Sequence, residues 1–185
     1  MLELGVKVPN FELTNTVSNK KVSLSDLDDM EAVLIIFMCN HCPYVKHIKE
    51  ALATLANDYK ERVGVVAISS NDVERYPQDR PEKMAEDARK FNYSFPYLFD
   101  ETQEVAKAYK AACTPDLFLI NDKHELVYRG QFDDSRPANG KAVTGNDIRQ
   151  AIDLLLEEGE IIEDQKPSMG CNIKWKAGNE PDYFG

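Results

Sequence analysis

The stretch Ala32-Val33-Leu34-Ile35-Ile36-Phe37-Met38-Cys39-Asn40-His41-Cys42-Pro43 decides the fold. Its first seven residues are apolar and rich in branched side chains, the mark of a strand buried on both faces. Val45, Ile48, Leu52 and Leu55 then recur at helical spacing across Tyr44–Tyr59. Pro43 suits the first turn of that helix, where its missing N–H would have had no partner. Two cysteines three positions apart therefore fall where a buried strand meets a helix N-terminus. The helix dipole and the unpaired N–H groups there favour a thiolate. A dithiol so placed reads as a redox site.

Around this junction the chain is of ordinary domain size, 185 residues, with enough apolar content to bury a core. A formal charge of −10 argues against nucleic acid and against an anionic membrane surface as partners, since either needs a basic patch. No segment approaches the length of a membrane span. The start, Met1-Leu2-Glu3-Leu4-Gly5-Val6-Lys7, lacks the basic and apolar regions of a signal peptide. A cytoplasmic location is expected, where disulfides are transient and catalytic rather than structural. Four cysteines are too few for a disulfide scaffold in a chain this long. Cys39 and Cys42 form the pair, Cys113 precedes Thr114-Pro115, and Cys171 lies in the C-terminal tail.

Phe11–Thr14 and Lys21–Leu24 alternate polar and apolar residues and predict an N-terminal hairpin. Val63–Ser69 reads as a second buried strand, followed by a long loop to Pro81 and a helix over Glu82–Phe91. A short strand over Tyr97–Phe99 and a helix over Thr102–Ala112 come next. Leu117–Ile120 and Leu126–Arg129 are strands joined by the turn Asn121-Asp122-Lys123-His124. Asp147–Glu158 is an amphipathic helix opened by Gly145-Asn146. Strands alternating with helices, then a hairpin and a helix, predict an α/β fold: a central mixed β-sheet flanked by helices. Beyond Pro167 periodicity is lost, yet Met169, Ile173, Trp175, Tyr183 and Phe184 predict an ordered tail packed on the domain.

A strand ending in C-x-x-C at a helix start, followed much later by Thr-Pro before a strand, resembles the thioredoxin superfamily. The N-terminal hairpin and the strand–helix unit inserted between Ser70 and Cys113 resemble its peroxiredoxin-like and TlpA-like, AhpC/TSA-related branches. The run CNHCPYVKH and Gly170-Cys171-Asn172-Ile173-Lys174-Trp175 resemble small bacterial proteins of that group. The resemblance implies a thioredoxin-like domain over residues 1–165 and a tail over 166–185. It also implies a cis bond at Thr114–Pro115, with these two residues facing the dithiol and binding the substrate chain.

Two departures shape the expected chemistry. A peroxiredoxin-like protein would carry Thr at position 39 and attack peroxide with Cys42, assisted by an arginine before the Leu117–Ile120 strand. Here position 39 is Cys, and Thr114-Pro115-Asp116 stands at the arginine's place. Thioredoxin's helper carboxylate falls at Val33, so the proton acceptor must come from elsewhere or from water. The expected function is thiol–disulfide exchange with a disulfide-containing protein substrate and a thiol reductant. Cys39 attacks, Cys42 resolves, and a partly cationic His41 tunes the Cys39 thiolate and makes the couple more oxidising than thioredoxin's. A solvated helix-start residue is the other reading of His41. Cys113 reads as a small buried hydrophobe or as a regulatory disulfide partner. Cys171 reads equally as a third thiol folded over the active face or as part of a tight packed turn. Asn71 and Asp72 border the site or cap a loop, and His47 and His124 carry no chemistry. No cofactor and no resident metal are expected. The alternatives are a peroxiredoxin-like thiol peroxidase, a zinc or copper protein using Cys39, Cys42 and a histidine, and a redox sensor without turnover. The second half of a structural zinc site is absent from the sequence, and Pro43 stands where a c-type haem motif needs His.

Overall fold

In the computed structural model, which describes residues 2–184, the apolar run becomes the middle of a seven-stranded mixed sheet. Met1 and Gly185, the outer ends of the two expected spans, lie outside the described residues. The strands are β1 (Glu12–Asn15), β2 (Lys21–Ser23), β3 (Ala32–Phe37), β4 (Val63–Ser69), β5 (Tyr97–Phe99), β6 (Cys113–Thr114), β7 (Asp116–Asn121), β8 (Leu126–Gly130) and β9 (Cys171–Asn172). The helices are α1 (Pro43–Tyr59), α2 (Pro81–Lys90), α3 (Glu104–Ala108) and α4 (Asn146–Glu158). The sheet order is β2-β1-β5-β4-β3-β7-β8, with β6 and β9 forming a separate two-stranded ribbon.

The unbroken apolar reading of β3 follows from what covers each face. Ala32, Leu34 and Ile36 pack with Val45 and Leu52 of α1 and Ile148 and Ile152 of α4. Val33, Ile35 and Phe37 face the other way, into a core with Phe118, Tyr109 and Trp175. A strand covered on both sides has no solvent face to make polar, so the period-2 signal disappears. β3, β4 and β5 run parallel, and β7 joins β3 antiparallel. The loops after β3, β4 and β5 consequently meet at one end of the sheet, where open α/β sheets gather their sites.

The expected hairpin forms, with Leu13 opposite Val22. The helix expected over Thr102–Ala112 shrinks to Glu104–Ala108. Gln103 takes a left-handed conformation at φ 65° and Lys110 does so at φ 51°, which bounds the helix at both ends. A buried polar network imposes this. The Gln103 side-chain amide donates to the Ser70 carbonyl at 2.6 Å, and Asp100 accepts the Ala106 N–H at 2.9 Å and the Ser70 hydroxyl at 2.8 Å. Satisfying these buried groups outweighs the propensity of a few more helical residues.

Candidate active site

The backbone leaves β3 with the Met38 N–H donating to the Ile68 carbonyl at 2.9 Å, which fixes where Cys39 emerges. Cys42 is the N-cap of α1, at φ −61° and ψ 126°, and Pro43 occupies the first turn. Both cysteines are reduced and buried, at 1% and 0% exposure. The Thr114–Pro115 bond is cis, as the resemblance implies. Thr114 meets both thiols: its Oγ1 lies 3.5 Å from the Cys39 sulfur, and its carbonyl accepts the Cys42 S–H at 3.2 Å.

A carboxylate stands beside this pair that no local sequence signal announces. Asp79, fully buried in a 3-10 turn (Pro77–Asp79) of the loop after β4, reaches the loop between the cysteines. Its oxygens accept the Asn40 N–H at 2.8 Å, the His41 N–H at 3.2 Å, the His41 ring Nδ1 at 2.6 Å and the Asn71 amide at 2.8 Å. His41 lies with Nδ1 3.9 Å from the Cys39 sulfur and stacks on Tyr76 at 5.3 Å. The expected partner of the Cys39 thiol is thus present, but its ring is held by a carboxylate. Cys39, His41 and Asp79 bring three ligand atoms within 4.8 Å of one another, a spacing compatible with a metal. Both Asp79 oxygens are already taken by the donors above, so a metal would have to displace them.

The two thiols are pushed apart in acidity. Cys39 is raised by its hydrogen bonding to Cys42, by burial and by the negative charge of Asp79. Cys42 is lowered, first by the Cys39 thiol and then by the Val45 N–H and by the thiol and N–H of Cys171. The Val45 N–H in the first turn of α1 and the Cys171 groups of β9 favour a thiolate at Cys42 over one at Cys39.

The tail supplies the remaining wall. β9 pairs antiparallel with β6, Thr114 opposite Cys171 and Cys113 opposite Asn172. The backbone edge of Thr114 expected to receive a substrate chain is therefore held by the protein's own C-terminal segment. Asn71 and Asp72 border the site and also grip this tail: Asn71 Oδ1 accepts the Lys174 N–H at 2.9 Å, and the Asp72 N–H donates to the Lys174 carbonyl at 2.7 Å. Trp175 is a packing anchor, 5% exposed and edge-on to Tyr183. Ile173 is buried too and the Tyr183 hydroxyl donates to the Ala106 and Ala111 carbonyls at 3.3 and 3.1 Å, whereas Met169 and Phe184 are exposed. Cys113 is half-buried in β6 rather than fully enclosed, and its thiol is pushed up by burial and by Asp116. His47 contacts the Ser135 hydroxyl at 3.1 Å, and His124 pairs with Asp28 at 3.1 Å.

Asp116 follows the cis-proline, and burial pushes its carboxyl up to about 6 against the hydrogen bonds from Ser168 and the Ala112 N–H. Its contribution to stability is full below the unfolded carboxyl range near pH ~4 and is lost as pH rises through ~6, about 3 kcal/mol in all. Asp116→Asn cannot ionise. The thermal midpoint of that variant is expected to exceed the wild-type value at pH 8 and to match it near pH 4, read by calorimetry at both.

Residues 4–129 match the AhpC/TSA family, more than half of the chain. The chain belongs to the AhpC/TSA family. A thiol redox function follows from that membership together with the buried dithiol. This AhpC/TSA chain is 55% identical to an uncharacterized conserved protein from Geobacillus kaustophilus, with a TM-score of 0.92 over 95% of this chain and 94% of that one. It is 46% identical to a hypothetical protein from Sinorhizobium meliloti 1021, at a TM-score of 0.94 over 96% and 97% of the two chains. A putative thioredoxin from Neisseria meningitidis shares 25% identity at a TM-score of 0.62, over 83% of this chain and 93% of that one. No curated protein gives a significant match. The fold is thus the thioredoxin-like one. Beyond Pro115, an arginine does line a small cleft with Tyr44, His47 and Met169. This is Arg136, whose guanidinium is held by the Asp133 and Ser135 carbonyls at 2.6 Å each and by the Gln131 side chain.

Proposed function

We propose that the protein is a cytoplasmic thiol–disulfide oxidoreductase that reduces or exchanges the disulfides of protein substrates through Cys39 and Cys42. One observation carries this reading: the two thiols share a site in which either position of their common proton has partners. With the proton on Cys39, the thiolate on Cys42 faces the Val45 and Cys171 N–H groups. With the proton on Cys42, its S–H donates to the Thr114 carbonyl at 3.2 Å and a Cys39 thiolate faces the Thr114 hydroxyl at 3.5 Å. One proton transfer between the sulfurs moves the nucleophile to Cys39.

The Cys39 thiolate attacks a substrate disulfide, forming a mixed disulfide and releasing one substrate thiolate. Cys42 then attacks the Cys39 sulfur, closing Cys39–Cys42 and releasing the second thiolate. The one proton shared by the two cysteines ends on one substrate sulfur, and the other substrate thiolate takes its proton from water. The entering disulfide meets Cys39 beside the Thr114 hydroxyl, and a thiol reductant reopens the Cys39–Cys42 disulfide. Peroxide reduction at Cys42 is the second reading, favoured by the thiolate-stabilising donors on that sulfur. Against it stand the lack of an arginine at Thr114-Pro115-Asp116 and the engagement of Arg136 by its own loop.

Equilibration in a series of glutathione redox buffers tests the proposal. The protein is expected to titrate as one two-electron couple that joins Cys39 to Cys42. Its midpoint should lie above the roughly −270 mV of thioredoxin, because donors to the thiolate stabilise the reduced form. Four thiols that stay free across the series would overturn the proposal. Oxidation by peroxide but not by glutathione disulfide would transfer the assignment to the peroxidase reading.

A further inference from the structure

The geometry points to Cys171 as a third exchanging thiol, carried on a strand that acts as a tethered substrate; the inference rests on the dithiol reading above. β9 lies on β6 with Cys171 opposite Thr114. Gly170 is pressed so closely on the cis peptide that a Cβ there would stand 2.0 Å from the Thr114 oxygen and 3.1 Å from the Pro115 nitrogen. Only a residue without a side chain lets the strand settle at this depth. Ile173 and Lys174 pin the strand in place. The Ile173 N–H donates to the Ala112 carbonyl at 3.1 Å, and the Lys174 carbonyl accepts from Asp72 at 2.7 Å and from Gln103 at 3.0 Å.

The result of this anchoring is that Thr114 gathers three cysteines: its carbonyl accepts the Cys42 S–H at 3.2 Å, its hydroxyl lies 3.5 Å from the Cys39 sulfur, and Cys171 is its partner across the ribbon. Cys113 is differently placed, with its S–H directed at the Pro115 carbonyl 3.6 Å away. When substrate oxidation closes Cys39–Cys42, Cys171 is the thiol already beside one of the bonded sulfurs. Its thiolate attacks Cys42, the Cys39–Cys42 bond breaks and the Cys42–Cys171 bond forms. Cys39 leaves as a thiolate and takes up the proton Cys171 released, so the step involves no net oxidation. Cys39 and Cys42 are buried, whereas Cys171 is partly exposed. The exchange thus carries the disulfide from a closed site to a sulfur that a reductant can reach, and it frees Cys39.

The full-length Cys39→Ser protein isolates this step. With oxidised glutathione, Cys42 should form a mixed disulfide and release one glutathione thiolate, after which Cys171 should displace the second. The expected product has lost both thiols and holds no glutathione. Its non-reducing peptide map links Cys42 to Cys171, and adding Cys113→Ser leaves that link intact. In Cys39→Ser carrying Gly170→Ala, the displaced strand should leave glutathione bound to Cys42. A Cys39→Ser protein that retains glutathione on Cys42 with Cys171 freely alkylated would overturn the inference, as would a Cys42–Cys113 link. Wild-type protein should show Cys42 joined to Cys39 and to Cys171 in separate populations. A wild type with only the Cys39–Cys42 link would sink the third-thiol assignment and leave the dithiol standing. A wild type with neither link would overturn both.

Discussion

Asp79→Ala is expected to destabilise the protein by about 3–5 kcal/mol and to move the reactivity of Cys39 to lower pH. The first effect follows from burial and from the number of groups that depend on one carboxylate. Removing it strands the Asn40 N–H and the Asn71 amide away from water and releases the half-buried His41 ring and N–H from their partner. Each orphaned buried donor costs ~1–3 kcal/mol, and breaking a buried charged network falls in the same few-kcal/mol range. The second effect runs in favour of reactivity. The negative charge of Asp79 holds the Cys39 thiol up, so its loss makes that thiol more acidic. Urea unfolding reads the first effect. Alkylation of Cys39 across a pH series reads the second, which a purely structural residue would leave unmoved. An unchanged pH profile in a folded Asp79 variant would show that the carboxylate does not act on the thiol.

Asp79 also marks the limit of what the chain reveals without its coordinates. Ala32–Phe37, Val63–Ser69 and Tyr97–Phe99 are legible because a strand buried on both faces must be apolar at every position. The dithiol, the helix after it and the Thr114-Pro115 element are legible because their spacing is local. Asp79 acts on a residue 38 positions earlier, from a Pro-containing loop without periodicity, so nothing nearby in the chain points to it. The same holds for β9: a strand of two residues carries no pattern, and the need for Gly170 shows only in its contact with Thr114. The helix α3 is shorter than its pattern predicts for a related reason. Gln103 and Asp100 are polar residues whose buried partners come from the end of β4 and the tail, and tertiary hydrogen bonds override helical propensity there.

The largest functional effect is expected from the cysteines themselves. In an insulin-reduction assay, Cys39→Ser and Cys42→Ser should each fall to the uncatalysed background, since the first removes the attacking sulfur and the second the sulfur that releases the product. Both are near-isosteric changes at buried positions beside the Thr114 oxygens, so the fold should survive them. The two variants differ in what they leave behind. Without Cys42 the mixed disulfide at Cys39 has no internal thiol to resolve it, and protein substrates should accumulate covalently. The decisive measurement is therefore mixed-disulfide capture by Cys42→Ser in cells, with mapping of the linked cysteine. The account predicts substrate proteins joined through Cys39, released by reductant and absent from Cys39→Ser/Cys42→Ser. Capture through Cys113 or Cys171 instead, or no capture at all from a folded variant, would contradict it.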